Sequence, residues 1–217
     1  MAGPVCPGRW RRTAVALAAL AWLAGVGAAE PAAPDLRRFL DSVQAYSADF
    51  TQTVADARGA VVEESSGTVL MQRPGRFRWD YTQPFVRTIV ADGERLWLYE
   101  ADLEQVTVRR LQAGLGDTPA ALLTGRDDVL ARFAVTRTFR ADGIDWTVLT
   151  PRESDTDFAE LRLGFRAGLL AELRLADRLG QQTQIRFRAA RANPPVPAGA
   201  FAFAVPAGAD VIDDTEL

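Results

Sequence analysis

The stretch at residues 73–99, RPGRFRWDYTQPFVRTIVADGERLWLY, constrains the fold of this chain more than any other. Phe77, Trp79 and Tyr81 occupy alternate positions, with Arg78 and Asp80 between them. A period of two puts the rings on one face of a strand and the charges on the other. Pro74-Gly75 turns the chain before this run, and Thr82-Gln83-Pro84 turns it after. Val86, Thr88 and Val90 then alternate with Phe85, Arg87 and Ile89. Asp92-Gly93 is a hairpin signal, and Leu96-Trp97-Leu98-Tyr99 reads as the next strand. The stretch is an aromatic-rich antiparallel meander.

The same alternation runs through most of the chain. Residues 46–54 alternate through Ala48, Phe50 and Gln52, and residues 61–72 carry one or two strands, interrupted near Gly67. Residues 105–110 alternate through Val106 and Val108. Strands resume over residues 133–139, and Asp142-Gly143 is a second hairpin signal ahead of Ile144, Trp146 and Val148. Residues 158–165, 169–176 and 181–188 place Leu161, Leu163, Phe165, Leu173, Leu175, Ile185 and Phe187 against interleaved charged or small residues, as in a sheet wet on one face. Phe201, Phe203 and Val205 suggest a last short strand, and residues 212–217 an acidic tail.

Two places break the pattern. Pro34-Asp35 opens a helix in which Leu36, Phe39, Leu40 and Val43 form one apolar stripe. Residues 117–125 read as a short helix, with Asp117 or Thr118 as N-cap, Pro119 at the first position and Gly125 just past the end. Another turn or two of helix follows over residues 127–133. About eleven antiparallel strands in roughly 190 residues suggest an incomplete barrel. The fold class is mainly β with an α lid, the short helices covering an apolar cavity.

Composition narrows the function. The chain has no His and no Lys, so all 25 basic residues are Arg. This excludes a Ser-His-Asp or Cys-His centre, a His-ligated metal and a Schiff-base lysine. No cofactor or metal site is expected. Residues 1–29 read as a signal peptide: Arg9, Arg11 and Arg12 precede an Ala/Leu-rich apolar run, and small residues end at Ala28 and Ala29. Cleavage after Ala28 or Ala29 would remove those three arginines and take the formal charge from −3 to −6. A mildly acidic surface argues against nucleic acid as partner. Cys6, the single cysteine, lies upstream of the apolar run, so the mature chain should carry no thiol, disulfide or lipid. Residues 30–217 should form one domain.

RPGRFRWDYTQP, followed by IVADGERLWLY and DLEQVTVRRL, resembles the outer-membrane lipoprotein carrier family, LolA. The resemblance implies an incomplete barrel with a helical lid over an apolar cavity. It implies a soluble periplasmic monomer without catalysis. Such a carrier takes acylated lipoproteins from an inner-membrane lipoprotein-releasing ABC transporter to an outer-membrane lipoprotein receptor. Shielding matters because each buried methylene contributes about 0.8 kcal/mol, so an acylated protein does not cross water unaided at a useful rate.

On the residues alone, Phe50, Phe77, Trp79, Tyr81, Trp97 and Tyr99 are core fillers, the usual fate of aromatic stripes. The resemblance gives them a second role as cavity lining, together with Leu122 and Leu123 of the lid. Arg73 on the residues alone is a solvated turn residue. The resemblance makes it a latch that bonds backbone carbonyls of the lid helix. Ala120-Ala121 depart from the family, which commonly has bulky apolar residues after the lid's Thr-Pro.

Two other classes fit less well. Asp142 and Asp145 could be an acid/base pair of a lipid-processing enzyme, but Asp142 is better explained by its turn. A lipid- or lipoprotein-sensing half-barrel would carry an additional domain, for which the length leaves no room.

Overall fold

The structure is a computed structural model that describes residues 33–111, 124, 131–153 and 156–215. The helix α1 spans Pro34–Ser42. The strands, in chain order, are β1 Ala45–Ala55, β2 Val61–Gln72, β3 Arg76–Gln83, β4 Arg87–Asp92, β5 Arg95–Glu100, β6 Gln105–Arg110, β7 Phe133–Ala141, β8 Ile144–Pro151, β9 Phe158–Arg166, β10 Leu169–Asp177, β11 Gln182–Ala192 and β12 Asp210–Asp214. They form one twelve-stranded sheet in the order β12-β6-β5-β4-β3-β2-β1-β11-β10-β9-β8-β7. Two meanders are joined where β1 pairs with β11, and β12 and β7 end the order without pairing to close it. The expected incomplete barrel is therefore an open sheet.

The alternation of the sequence becomes two faces. On the inner face, Ala48 lies opposite Val69, Val69 opposite Trp79, Trp79 opposite Ile89, and Ile89 opposite Leu98. One row along, Phe187 and Gly67 flank Phe50, and Gly67 lies opposite Tyr81. The expected break near Gly67 is not a break, because β2 runs unbroken through it. A Cβ on Gly67 would sit 1.9 Å from the carbonyl oxygen of Asp80. Glycine is there to let the β2 and β3 backbones approach at a register shift.

Helix α1 covers part of the inner face. Pro34 sits in its first turn, where its missing N–H costs nothing, and Asp35 complements the helix dipole. Leu36 and Phe39 are buried, with the Phe39 ring 5.8 Å from that of Tyr46 and 5.7 Å from that of Phe165. Asn193 fixes the exit. Its amide donates to the Ser42 carbonyl at 3.0 Å, and its Oδ1 accepts from the N–H of Gln44 and Ala45 at 2.7 and 3.1 Å.

One strand expectation is overturned. Residues 201–205 are not a strand; the last strand is β12, which pairs in parallel with β6. Phe201 and Phe203 alternate for another reason. Phe203 covers the outer face of β5, stacking on Trp97 at 5.5 Å and packing beside Tyr99 at 6.3 Å. The outer face is therefore not uniformly wet: under this segment Val90, Val106 and Val108 are buried. The expected signal peptide, Cys6 and almost all of the two lid helices lie outside the described residues.

Candidate functional site

The inner face gathers aromatic side chains from several strands into one continuous wall. Phe50 meets Trp79 at 5.1 Å and Tyr81 at 5.0 Å between ring centroids. Trp79 meets Phe187 at 6.2 Å, and Phe187 meets Tyr46 at 5.9 Å. Most of these pairs are edge-to-face, the arrangement that ring quadrupoles favour. Phe77, opposite Met71 and Ala91, extends the wall toward the turn that follows Arg73. Of the residues expected to line a cavity, the structure brings together Phe50, Phe77, Trp79 and Tyr81, all buried in one cluster.

Trp97 and Tyr99 are on the other side. Trp97 lies opposite Val90 and Val108, and Tyr99 opposite Thr88 and Val106, all on the outer face. The Trp97 indole N–H donates to Asp92 at 3.3 Å, and Phe203 covers both rings. Their cause of burial is the C-terminal segment, not the inner wall. Leu98, between them, is the β5 residue that shares the row of Trp79. Leu122 and Leu123 fall outside the described residues.

The wall has few polar groups. Tyr46 donates its hydroxyl to the Leu170 carbonyl at 2.7 Å, and burial pushes its pKa well up. Tyr81 donates to Gln52 Oε1 at 3.2 Å; burial raises its pKa, and the neighbouring Arg87 pulls it back. The Trp79 indole N–H is buried without a hydrogen-bond partner among the described residues.

Arg73 holds one end of this wall. Its Nη1 donates to the carbonyls of Phe39, Leu40 and Val43 at 3.1, 2.6 and 2.5 Å. Its guanidinium lies 5.2 Å from the Phe39 ring centroid. These carbonyls belong to the C-terminal end of α1 and the residue after it, where the helix leaves acceptors unpaired and carries partial negative charge. Burial lowers the Arg73 pKa and the charge of Asp41 raises it again; a guanidinium stays protonated throughout. Arg73 thus grips the terminus of α1; the helix expected at residues 117–125 lies outside the described residues apart from Thr124. That residue is buried, and its carbonyl accepts from Gly75 N–H at 3.5 Å, directly after Arg73-Pro74.

The family model described as "Outer membrane lipoprotein carrier protein LolA" matches residues 41–204. The chain belongs to the LolA family. It is 42% identical over 179 residues to an outer-membrane lipoprotein carrier protein of Methylobacillus flagellatus, covering 82% of this chain and 87% of that one. A protein of the same description from Dechloromonas aromatica is 40% identical over 202 residues, covering 93% and 95%. A solved structure of an uncharacterized conserved protein from Thermus thermophilus superposes with a TM-score of 0.54 at 14% identity, covering 83% of this chain and 97% of that one. That likeness concerns the fold alone. The LolA family is one of carriers, not of enzymes.

Four residues of the site were not singled out by the sequence reading. Phe39, Tyr46 and Phe187 complete the wall, and Asn193 anchors α1. Phe39 and Phe187 were legible in the α1 stripe and the β11 alternation, though not as lining of the wall, and Tyr46 would follow from extending the alternation of β1. Asn193 gave no signal beyond sitting at the head of a Pro-rich loop.

Proposed function

We propose that this protein is a periplasmic carrier of acylated lipoproteins, and that the inner face of its sheet is the surface on which the acyl chains are sheltered. The observation that carries this reading is the aromatic wall of Phe50, Trp79, Tyr81 and Phe187, continued by Phe77 and closed at one end by α1. Such a surface contributes through apolar burial and carries no nucleophile or acid/base pair. Among the described residues, no group of three or more His, Cys, Asp or Glu side chains could hold a metal ion.

Arg73 and α1 supply the movable part. Carbonyls at a helix end hold a buried cation well, yet desolvating that cation is costly, so the contact can be displaced. In this reading α1 moves off the wall when chains enter. An inner-membrane lipoprotein-releasing ABC transporter loads the carrier and an outer-membrane receptor unloads it, with the protein travelling as a monomer between them. Residues 1–29 direct secretion and are removed.

The test is a transfer assay. Purified protein loaded with an acylated lipoprotein is mixed with membranes bearing the receptor, and cargo is followed by sedimentation. The expected result is a soluble carrier–cargo complex that passes cargo on without nucleotide. A protein that yields no soluble complex with acylated cargo, but binds the same lipoprotein without its acyl groups, would show the wall to be plain core.

A further inference from the structure

A second site lies at the end of the sheet away from Arg73. A cavity of about 280 Å3 is enclosed by β2, the turn between β3 and β4, β4 and the end of β5. Ser65 and Tyr81 form its inner side; Phe85 and Val62 stand exposed at its rim. Its charged lining is Arg87, Glu63, Glu100 and Asp102.

These charges share a pocket without neutralising one another. Arg87 lies directly opposite Glu100 in the β4–β5 ladder, yet among the described residues no ion pair joins Arg87 to any of the three carboxylates. The Arg87 guanidinium instead lies over the Tyr81 ring, 4.1 Å from its centroid. Its Nε is buried with no hydrogen-bond partner among the described residues, and so is the Ser65 hydroxyl, on a residue only 7% exposed. Buried polar groups in folded proteins are nearly always satisfied, so two in one pocket call for an acceptor that comes from outside the chain. One arginine against three carboxylates leaves the pocket net negative, so a simple anion is repelled. A ligand with both signs meets both demands.

We propose that this pocket binds the zwitterionic head of a phosphoethanolamine lipid. The phosphodiester accepts from Arg87 and Ser65, the primary ammonium donates to Glu63, Glu100 and Asp102, and the first methylenes rest on Phe85 and Val62. The volume agrees, because pockets for whole small ligands span roughly 300–1,000 Å3 and this one lies just below that range, the size for a head rather than a lipid. The site lies on the same inner face as the wall, at its far end beyond Tyr81, which the two share, and it does not rest on the carrier reading.

The experiment is a calorimetric titration of the full chain with single-chain lysophosphatidylethanolamine, below its micelle concentration, against lysophosphatidylglycerol of the same chain length. The wild type should prefer the ethanolamine head by about tenfold or more, the weight of a charge-assisted hydrogen bond. The double variant Glu100→Gln, Asp102→Asn, which removes two carboxylates facing the ammonium, should bring the two affinities together, and Arg87→Gln, which removes a contact common to both phosphodiesters, should weaken both heads alike, while binding of an environment-sensitive fatty-acid dye to the inner wall stays unchanged. If that double variant loses its circular dichroism spectrum, Glu63→Gln, which removes the third carboxylate alone, carries the test through the same ratio. Equal affinities for the two heads in the wild type overturn the proposal, as does a preference that survives in the folded variant. Loss of dye binding in the wild type would count against the carrier reading and leave this ratio readable.

Discussion

Arg73 does most for the site of any single residue. It joins the turn before β3 to the end of α1 through three carbonyls and a ring face. Arg73→Leu removes the charged donor from those carbonyls, of which that of Phe39 still accepts from the Val43 N–H, and should cost about 1.5–3 kcal/mol, the weight of a hydrogen bond to a charged group. The loss should be local: amide exchange across α1 should quicken by about tenfold or more, while β1 and β11 keep their protection. In the carrier reading the closed state alone suffers, so the variant loads cargo normally and releases it poorly. Arg73→Lys should be intermediate. The three bonds to the end of α1 run from one nitrogen, which an ammonium can imitate, but the flat contact with Phe39 is lost. Hydrogen exchange by mass spectrometry, with loading and release assayed separately, checks both variants; wild-type exchange in α1 of Arg73→Leu would make Arg73 an ordinary turn residue. The sequence marked Arg73 through its motif. Its partners were not legible, because they lie 30 to 34 residues earlier and only the folded sheet brings them near.

At the scale of elements, two short polar devices fix geometry that the apolar pattern leaves open. Asn193 joins the α1–β1 junction to the end of β11 through three side-chain hydrogen bonds, and its φ of 50° is one that asparagine tolerates better than most residues. Asn193→Ala should lower stability by about 1–3 kcal/mol, because the amides of Gln44 and Ala45 lose their acceptor. Urea unfolding with an unchanged m-value checks it. Asp92 holds the β4–β5 hairpin. Burial raises its pKa, but the N–H groups of Arg95 and Glu94, the Trp97 indole and the charge of Arg95 outweigh this and leave it below the ordinary value. A carboxyl depressed in the folded state adds stability above its unfolded pKa of about 3.9, and that stability is lost as pH falls through the lower folded value. The melting-temperature gap between wild type and Asp92→Asn should therefore be full at neutral pH and shrink below about pH 4. A gap independent of pH would mean that the Asp92 charge contributes nothing. The Asp92-Gly93 turn was legible in the sequence; the indole bond that closes it was not, since it depends on which face Trp97 takes.

At the scale of the whole molecule, the sequence announces two faces for every strand but not what covers each. The period of two put Phe77, Trp79 and Tyr81 together correctly, whereas the cavity lining implied by the family resemblance, which added Trp97 and Tyr99, joined residues from opposite faces. The register was readable through the turn. With Gly93 and Glu94 as the loop, Ala91 falls opposite Leu96 and Val90 opposite Trp97, so Trp97 follows Arg78 and not Trp79. A one-residue slip exchanges every side chain between faces. The covering of the outer face was illegible for another reason: Phe203 reaches Trp97 across about a hundred residues of chain, a separation on which local periodicity carries no information. The two faces make opposite predictions. Trp79→Ala and Phe187→Ala remove ring area from the inner wall and should weaken a fatty-acid dye by about tenfold or more, since each lost ring withdraws contacts worth over a kcal/mol. Trp79→Asp, which puts a charge on an apolar surface, should abolish binding. Trp97→Ala and Tyr99→Ala remove comparable rings from beneath Phe203. They should lower the melting temperature yet leave dye affinity within about twofold, because in the carrier reading the acyl chains lie on the other face. Reading stability and dye binding on the same samples separates the two effects. If Tyr99→Ala or Trp97→Ala weakens the dye as Trp79→Ala does, the acyl surface is the outer face beneath the C-terminal segment, and the aromatic wall is only the core that holds the sheet together.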